Sequence, residues 1–425
     1  MKTNIKKLLA VTSVSVALAA SLAACGSTSA TEQETSALPI EVETTSAAAE
    51  IVTEFTSGSG AIDTTDLFTE RDLLQTVDLS SAKTFTVTDG ETITIQDEGV
   101  YLITGTASNA TIQVEAADDA KVQLVLDSLT ITNDTAPCIY IKSADKVFVT
   151  TTDSTSSLSV SGAFTADGTT NINAAIFSKD DLVLNGVGTL EISSSDNAVS
   201  SKDDLKITGG TYKITCSGTA FDANDSIAVA DGSFEISESN DGFHAENDDD
   251  DSVGYVYIGG GSFLINAIDD AIHATTIVQI DNGTFELNAA EGIEGTYLQF
   301  NGGTISINAS DDGINASVKS SAFPVLAEFN GGDITVVMGQ GDTDAIDSNG
   351  DLTINGGTLN LTAQSPFDYD GAAVKNGGTI IVNGTETDSI SNQMMGGGMG
   401  GPGGMGGGPG GMGGDPHGGM PGGGF

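Results

Sequence analysis

Carboxylates return along this chain at a spacing that stacks them. The recurring phrase is an acidic or amide residue, then Gly or Ala, a large apolar residue, a variable residue and a small one. It comes back about every 22 residues, the signature of a repeat architecture. It reads Asn197-Ala198-Val199-Ser200-Ser201, Asp241-Gly242-Phe243-His244-Ala245 and Asp270-Ala271-Ile272-His273-Ala274, then Glu291-Gly292-Ile293-Glu294-Gly295, Asp312-Gly313-Ile314-Asn315-Ala316 and Asp344-Ala345-Ile346-Asp347-Ser348. Equivalent residues of stacked repeats face the same way. Asp241, Asp270, Glu291, Asp312, Asp344 and Asp370 are therefore expected to form one column, accompanied by Asn240, Asp269, Asp311, Asp342 and Asp368. Carboxylates about 4.8 Å apart repel by about 3–4 kcal/mol at an effective dielectric near 20. Either solvent screens such a column or hard cations sit within it. Ca²⁺ takes six to eight oxygen ligands in irregular geometry, which adjacent coils can supply. The candidate Ca²⁺ ligands are Asp241, Asp269, Asp270, Glu291, Asp311, Asp312, Asp342, Asp344, Asp368 and Asp370, with Glu246, Asn247 and Asp248 from an acidic insertion. No loop has the EF-hand order of ligands.

A second column is expected one residue beyond the apolar anchor: Ser200, Asp222, His244, His273, Glu294, Asn315 and Asp347. Alternation points it outward. Its members are polar but chemically mixed, and His244 and His273 stand in adjacent repeats. Such side chains suit hydrogen bonds to sugar hydroxyls or metal coordination, or are simply solvated. His244, His273, Glu294 and Asn315 are candidate carbohydrate contacts. Tyr255 and Tyr257 are candidates for stacking on a sugar ring, in a chain without Trp.

The elements that must carry these columns are short strands. Half a period after each acidic phrase comes a second one, Gly209-Gly210-Thr211, Gly260-Gly261-Ser262, Gly302-Gly303-Thr304 and their equivalents. Between turns the apolar residues alternate, as in Leu205-Lys206-Ile207 and Tyr212-Lys213-Ile214-Thr215, which means half-buried strands. Three short strands and three turns make one coil of a parallel β-helix. The predicted fold is all-β, a right-handed parallel β-helix, with handedness taken from the rule for parallel crossovers.

The balance of 14 Lys+Arg against 59 Asp+Glu, a net charge of −45, excludes nucleic acid and anionic surfaces as natural partners and favours cations. Lys6-Lys7, an apolar stretch from Leu8 to Leu22 and the run Leu22-Ala23-Ala24-Cys25-Gly26 resemble a bacterial lipoprotein leader, with Cys25 lipidated. The expected organisation is a leader over 1–24, a disordered Ser/Thr/Glu-rich tether over 25–75, the β-helix over 76–390 and a disordered Gly/Met/Pro-rich tail over 391–425. The expected state is a monomer, lipid-anchored at the extracellular face of the membrane.

The leader, the tether, Asp-Gly-Phe-His-Ala-Glu-Asn-Asp (241–248), Gly-Tyr-Val-Tyr-Ile (254–258), the repeated Asp-Asp-Gly-Ile and the Gly/Met tail resemble a bacterial family of secreted carbohydrate-binding β-helix proteins, similar in fold to pectate lyases. The resemblance implies Ca²⁺ at the acidic turns and cellulose or polygalacturonate as the polysaccharide partner. Three functions stay open. One is a non-catalytic polysaccharide-binding module, in which Ca²⁺ can bridge protein and uronate carboxylates. Another is a Ca²⁺-dependent polysaccharide lyase, with Lys179 or Lys202 as the base. Both lysines precede paired Asp residues, which points instead to surface ion pairing. The third is a structural or adhesive spacer.

Overall fold

The computed structural model describes residues 60–247, 249–340 and 343–392. Every regular element among them is a strand. The strands stack in parallel, coil on coil, until a terminal antiparallel hairpin of Thr379–Val382 with Thr385–Thr387. The parallel β-helix expected from the alternation is therefore the fold. Each coil contributes to three faces, here sheets A, B and C. One coil runs Asn197–Ser201 in sheet C, Asp204–Ile207 in sheet A and Thr211–Cys216 in sheet B. The next runs Phe221–Ala223, Ser226–Val229 and Ser233–Ser239.

Alternation fills the interior. In sheet B the register sets Tyr212, Phe234, Phe263 and Phe285 one above the other. Their rings stack at 5.3, 4.7 and 4.5 Å between centroids. Phe221 and Phe243 of sheet C stack at 4.8 Å and meet this ladder edge-on. Offset and edge-to-face contacts of this kind add to the burial of apolar area. Phe263 is buried between two such partners. Truncating it, as Phe263→Ala, is expected to cost about 3–5 kcal/mol. Thermal or denaturant melts of the variant read this directly. Gly283, at φ 128°, shows why the second phrase needs glycine: a Cβ there would lie 2.8 Å from the Phe285 ring. Gly242 shows why this repeat takes glycine where others take Ala. Its missing Cβ would point inward, 2.4 Å from the Ala271 carbonyl oxygen.

Sheet A departs from simple alternation, because its outer face is covered. Residues 61–75, assigned above to the end of the tether, form a strap across it. Ala61 N–H donates to Gln299 Oε1 and Ile62 N–H to Gln279 Oε1, both at 2.8 Å. Lys206 Nζ donates to the Leu67 carbonyl at 2.8 Å. Arg71 lies 4.4 Å from the Phe148 ring centroid. Asp72 is fully buried beside Lys146 at 3.6 Å, and Gln75 Nε2 donates to the Thr208 carbonyl at 3.0 Å. The register of sheet A places Lys206, Ala228, Tyr257, Gln279 and Gln299 in one outward row. That row receives the strap. Ile62 and Leu67 bury there with Ala228, Tyr257 and Ile277. The folded body thus begins before residue 76.

Candidate functional site

Sheet C carries both polar columns, and its register tests them residue by residue. The second column is continuous: Ser200, Asp222, His244, His273, Glu294, Asn315, Asp347 and Asp368 pair in turn. The first column holds Asp270 against Glu291 and Asp344 against Ser365. Two assignments are corrected here. Asp368 belongs to the second column, after Asp347. Asp370 lies beyond both columns, exposed, with its N–H donating to the Ser348 carbonyl. The cause is local: Pro366 takes the Gly/Ala place and buried Phe367 the anchor place, so the phrase there reads Ser365-Pro366-Phe367-Asp368-Tyr369.

The first column has a structural task. At three of these corners a side-chain oxygen accepts the backbone N–H of the next coil, whereas Glu291 N–H goes to the Asp269 carbonyl. Asn197 Oδ1 accepts Thr219 N–H at 2.8 Å. Asp241 Oδ1 accepts Asp270 N–H at 3.2 Å, and Asp312 Oδ1 accepts Asp344 N–H at 3.0 Å. A buried N–H must be paired, and an acid or an amide serves equally. That is why the phrase tolerates either. Asp241 also accepts from Thr219 Oγ1 and Asn240 Nδ2, both at 3.1 Å.

The column's charge is partly offset by residues of the second column and one insertion. His273 Nδ1 lies 2.8 Å from Asp270 Oδ2 and 3.0 Å from Glu294 Oε2. Lys319 Nζ lies 2.9 Å from the same Glu294 oxygen. Burial pulls the imidazolium down, but the hydrogen bonds to Asp270 and Glu294 outweigh it and hold His273 up at about 9. Burial likewise pushes Glu294 up, and the bonds from His273 and Lys319 bring it down to about 2. Burial leaves Asp270 above its ordinary value. Two cations thus face two carboxylates, and the cluster is charge-balanced as it stands. Asp270, His273 and Glu294 also bring one ligand atom each within 4.8 Å of the others. The His244 ring lies against His273, tilted by 40° with ring centroids 4.7 Å apart. It reaches Asp222 at 3.6 Å and Glu246 at 3.4 Å. Lys319 was not legible as a partner, since it belongs to a non-repeating insertion.

Beyond Glu294 the balance fails. Burial and then Glu294 push Glu291 up to about 7. Burial pushes Asp312 up to about 6. Asp347 rises to about 7 through burial, then through Asp312, Asp368, Asp344 and Asp370. Asn315 donates its Nδ2 to Glu291 Oε2 at 3.1 Å and Glu294 Oε1 at 3.3 Å. Its Oδ1 is buried without a hydrogen-bond partner among the described residues, and so is Asp368 Oδ1. Buried acceptors left this way ask for a cation or a donor. A separate acidic group, Asp181, Asp203 and Asp204, gathers at the next corner, where burial and then Asp181 raise Asp203 to about 6.

The remaining candidates disperse. Asn247 Nδ2 donates to Asp225 Oδ1 at 2.7 Å, while its Oδ1 accepts Asp249 and Asp250 N–H and so shapes its own loop. Asp269 and Asp311 are exposed on the turns. Asp248, Asp342, Cys25 and the tail from 393 lie outside the described residues. Tyr257 is fully buried under the strap, its hydroxyl donating to Asp281 Oδ2 at 2.9 Å, so it offers no ring face to a sugar. Tyr255 is half-buried in the same cluster. Lys202 pairs with Asp222 and Asn224 of the next coil, both at 3.5 Å, rather than with the Asp residues that follow it. Lys179 occupies the equivalent turn one coil earlier and is half-buried.

The profile of carbohydrate-binding domain-containing proteins matches residues 89–345. The chain belongs to that family. A carbohydrate-binding domain-containing protein of Acetivibrio thermocellus is 35% identical over 122 residues, which are 28% of this chain and 43% of that protein. The chain therefore spans less than half the length of that curated relative. The solved structure of a polysaccharide lyase-like protein from C. thermocellum, a gadolinium derivative, aligns at 21% identity with a TM-score of 0.41, covering 68% of this chain and 99% of that one.

Proposed function

We infer that this chain is a non-catalytic polysaccharide-binding protein, lipid-anchored through Cys25 at the cell surface and stiffened by Ca²⁺ along its acidic edge. The observation that carries the reading is family membership across the repeat, residues 89–345. The donor set at the far end of the edge fits a hard cation. Asp312, Asp344, Asp347, Asp368 and the Asn315 carbonyl would hold Ca²⁺, all of them oxygen donors. Two of those oxygens, on Asn315 and Asp368, are buried without a hydrogen-bond partner among the described residues. The ion would supply positive charge where lysine and arginine do not. The Asp270–His273–Glu294–Lys319 cluster is already balanced and has less need of one.

A binding role is favoured over a lyase by Lys202, whose ammonium is engaged with Asp222 and Asn224. Incubation of the full chain with a uronate polymer in excess Ca²⁺ separates the two. A binder leaves the ultraviolet absorbance flat. A steady rise from unsaturated uronate ends would overturn the non-catalytic reading.

A further inference from the structure

The acidic edge is flanked by a groove of opposite character. It runs along the outer corner of sheet B, has a volume of about 550 Å³, and none of its lining residues is charged. In a chain of net charge −45 that neutrality is a selective feature. One wall is an amide ladder. Asn266, Asn288 and Asn308 are in register. Asn288 Nδ2 donates to Asn266 Oδ1 at 3.0 Å, and Asn308 Nδ2 to Asn288 Oδ1 at 3.0 Å. The rest is aliphatic, with Ile268 at 66% exposed and Met338 at the floor.

We propose that this groove is the glycan subsite, and that its ligand is an extended, uncharged polysaccharide rather than a polyuronate. The inference rests on the polysaccharide-binding reading above and says where and to what the chain binds. A primary amide has two N–H donors and a carbonyl with two lone pairs. The ladder uses one donor and one acceptor of Asn288, leaving one of each for a sugar hydroxyl. Ladder bonding also fixes the orientation of each amide before the ligand arrives, which lowers the ordering cost of binding. Rungs recur at the strand spacing of about 4.8 Å, so an extended chain lying along the groove meets one amide after another. Hydroxyls then meet amides while the apolar C–H faces of the rings meet Ile268, Met338 and the alanines. A uronate chain would place carboxylates beside exposed Asp269 and Asp311 on the adjoining turns and find no cationic side chain in the groove.

The test is calorimetric titration of the full chain, in Ca²⁺ buffer, with a neutral β-glucan oligosaccharide and separately with an oligogalacturonate. Binding of the neutral probe is expected. Ile268→Asp, at an exposed position, is expected to weaken it about tenfold or more, and Asn288→Ala by a similar factor, with melting temperatures unchanged. If Asn288→Ala disturbs the ladder and lowers the melting temperature, Ile268→Asp decides the matter alone. Neutral-probe binding that survives Ile268→Asp undiminished, or binding of the uronate probe alone, overturns this inference and leaves the polysaccharide-binding reading standing. Absence of binding to either probe, and to every other polysaccharide tried, ends both.

Discussion

Calcium removal with EDTA near neutral pH is expected to lower the melting temperature by about 5 °C, since a ligand present at 100–1,000 times its Kd contributes about 3–4 kcal/mol. The loss is expected to arise at the Asp312–Asp368 end of the edge. Without a cation, Glu291, Asp312 and Asp347 are raised to about 7, 6 and 7. A carboxyl whose folded value is raised holds its proton in the folded state after the unfolded chain has released it. Stability therefore falls as pH climbs from the ordinary carboxylate range toward 7. The calcium effect is expected to be small near ~pH 5 and large near ~pH 7.5. Asp347→Asn with Asp368→Asn removes the repulsion: in EDTA the double variant melts above the parent and no longer responds to Ca²⁺. Equal melting temperatures of the parent with and without Ca²⁺ would refute the assignment.

The second large effect belongs to His273. In His273→Leu the buried carboxylates of Asp270 and Glu294 keep only Lys319 between them. Removing one partner from a buried ionic cluster costs about 3–5 kcal/mol. The sign with pH is fixed by the cluster. His273 is raised from 6.5 to about 9, so its contribution is complete below 6.5 and disappears as pH rises through 9. Glu294 is lowered from 4.5 to about 2, so its contribution is present above 4.5 and disappears as pH falls through 2. In calcium-free buffer, parent and variant should differ most near neutrality and converge toward ~pH 9–10 and toward acid, where the carboxylates take up protons. A constant difference across that range would assign His273 a packing role instead.

Much of this was readable in the residues, and the reasons are physical. Alternating Thr, Val and Ile with Gly-Gly turns leaves few folds other than a solenoid, and a fixed period carries equivalent residues into register. The second column followed from one phrase. What was missed lies where the period is broken. Residues 61–75 occur once, so no repetition marks them as structure, and they buried Tyr257 along with the outer face of sheet A. Lys319 sits in an insertion, which hid the cation opposite Glu294. Pro366 and Ser365 disguised the last repeat, which moved Asp368 into the other column and left Asp370 outside both. The alternation of acids with amides in the phrase was itself the sign of an acceptor for backbone N–H.

Binding of polysaccharide without cleavage has a direct readout. Affinity electrophoresis of the Ca²⁺-loaded chain, through gels with and without a dissolved polysaccharide, tests it most directly. Slowed migration in at least one polysaccharide gel is expected, with an unchanged polymer length after incubation. Identical mobility in every gel, or shortening of the polymer, would contradict it.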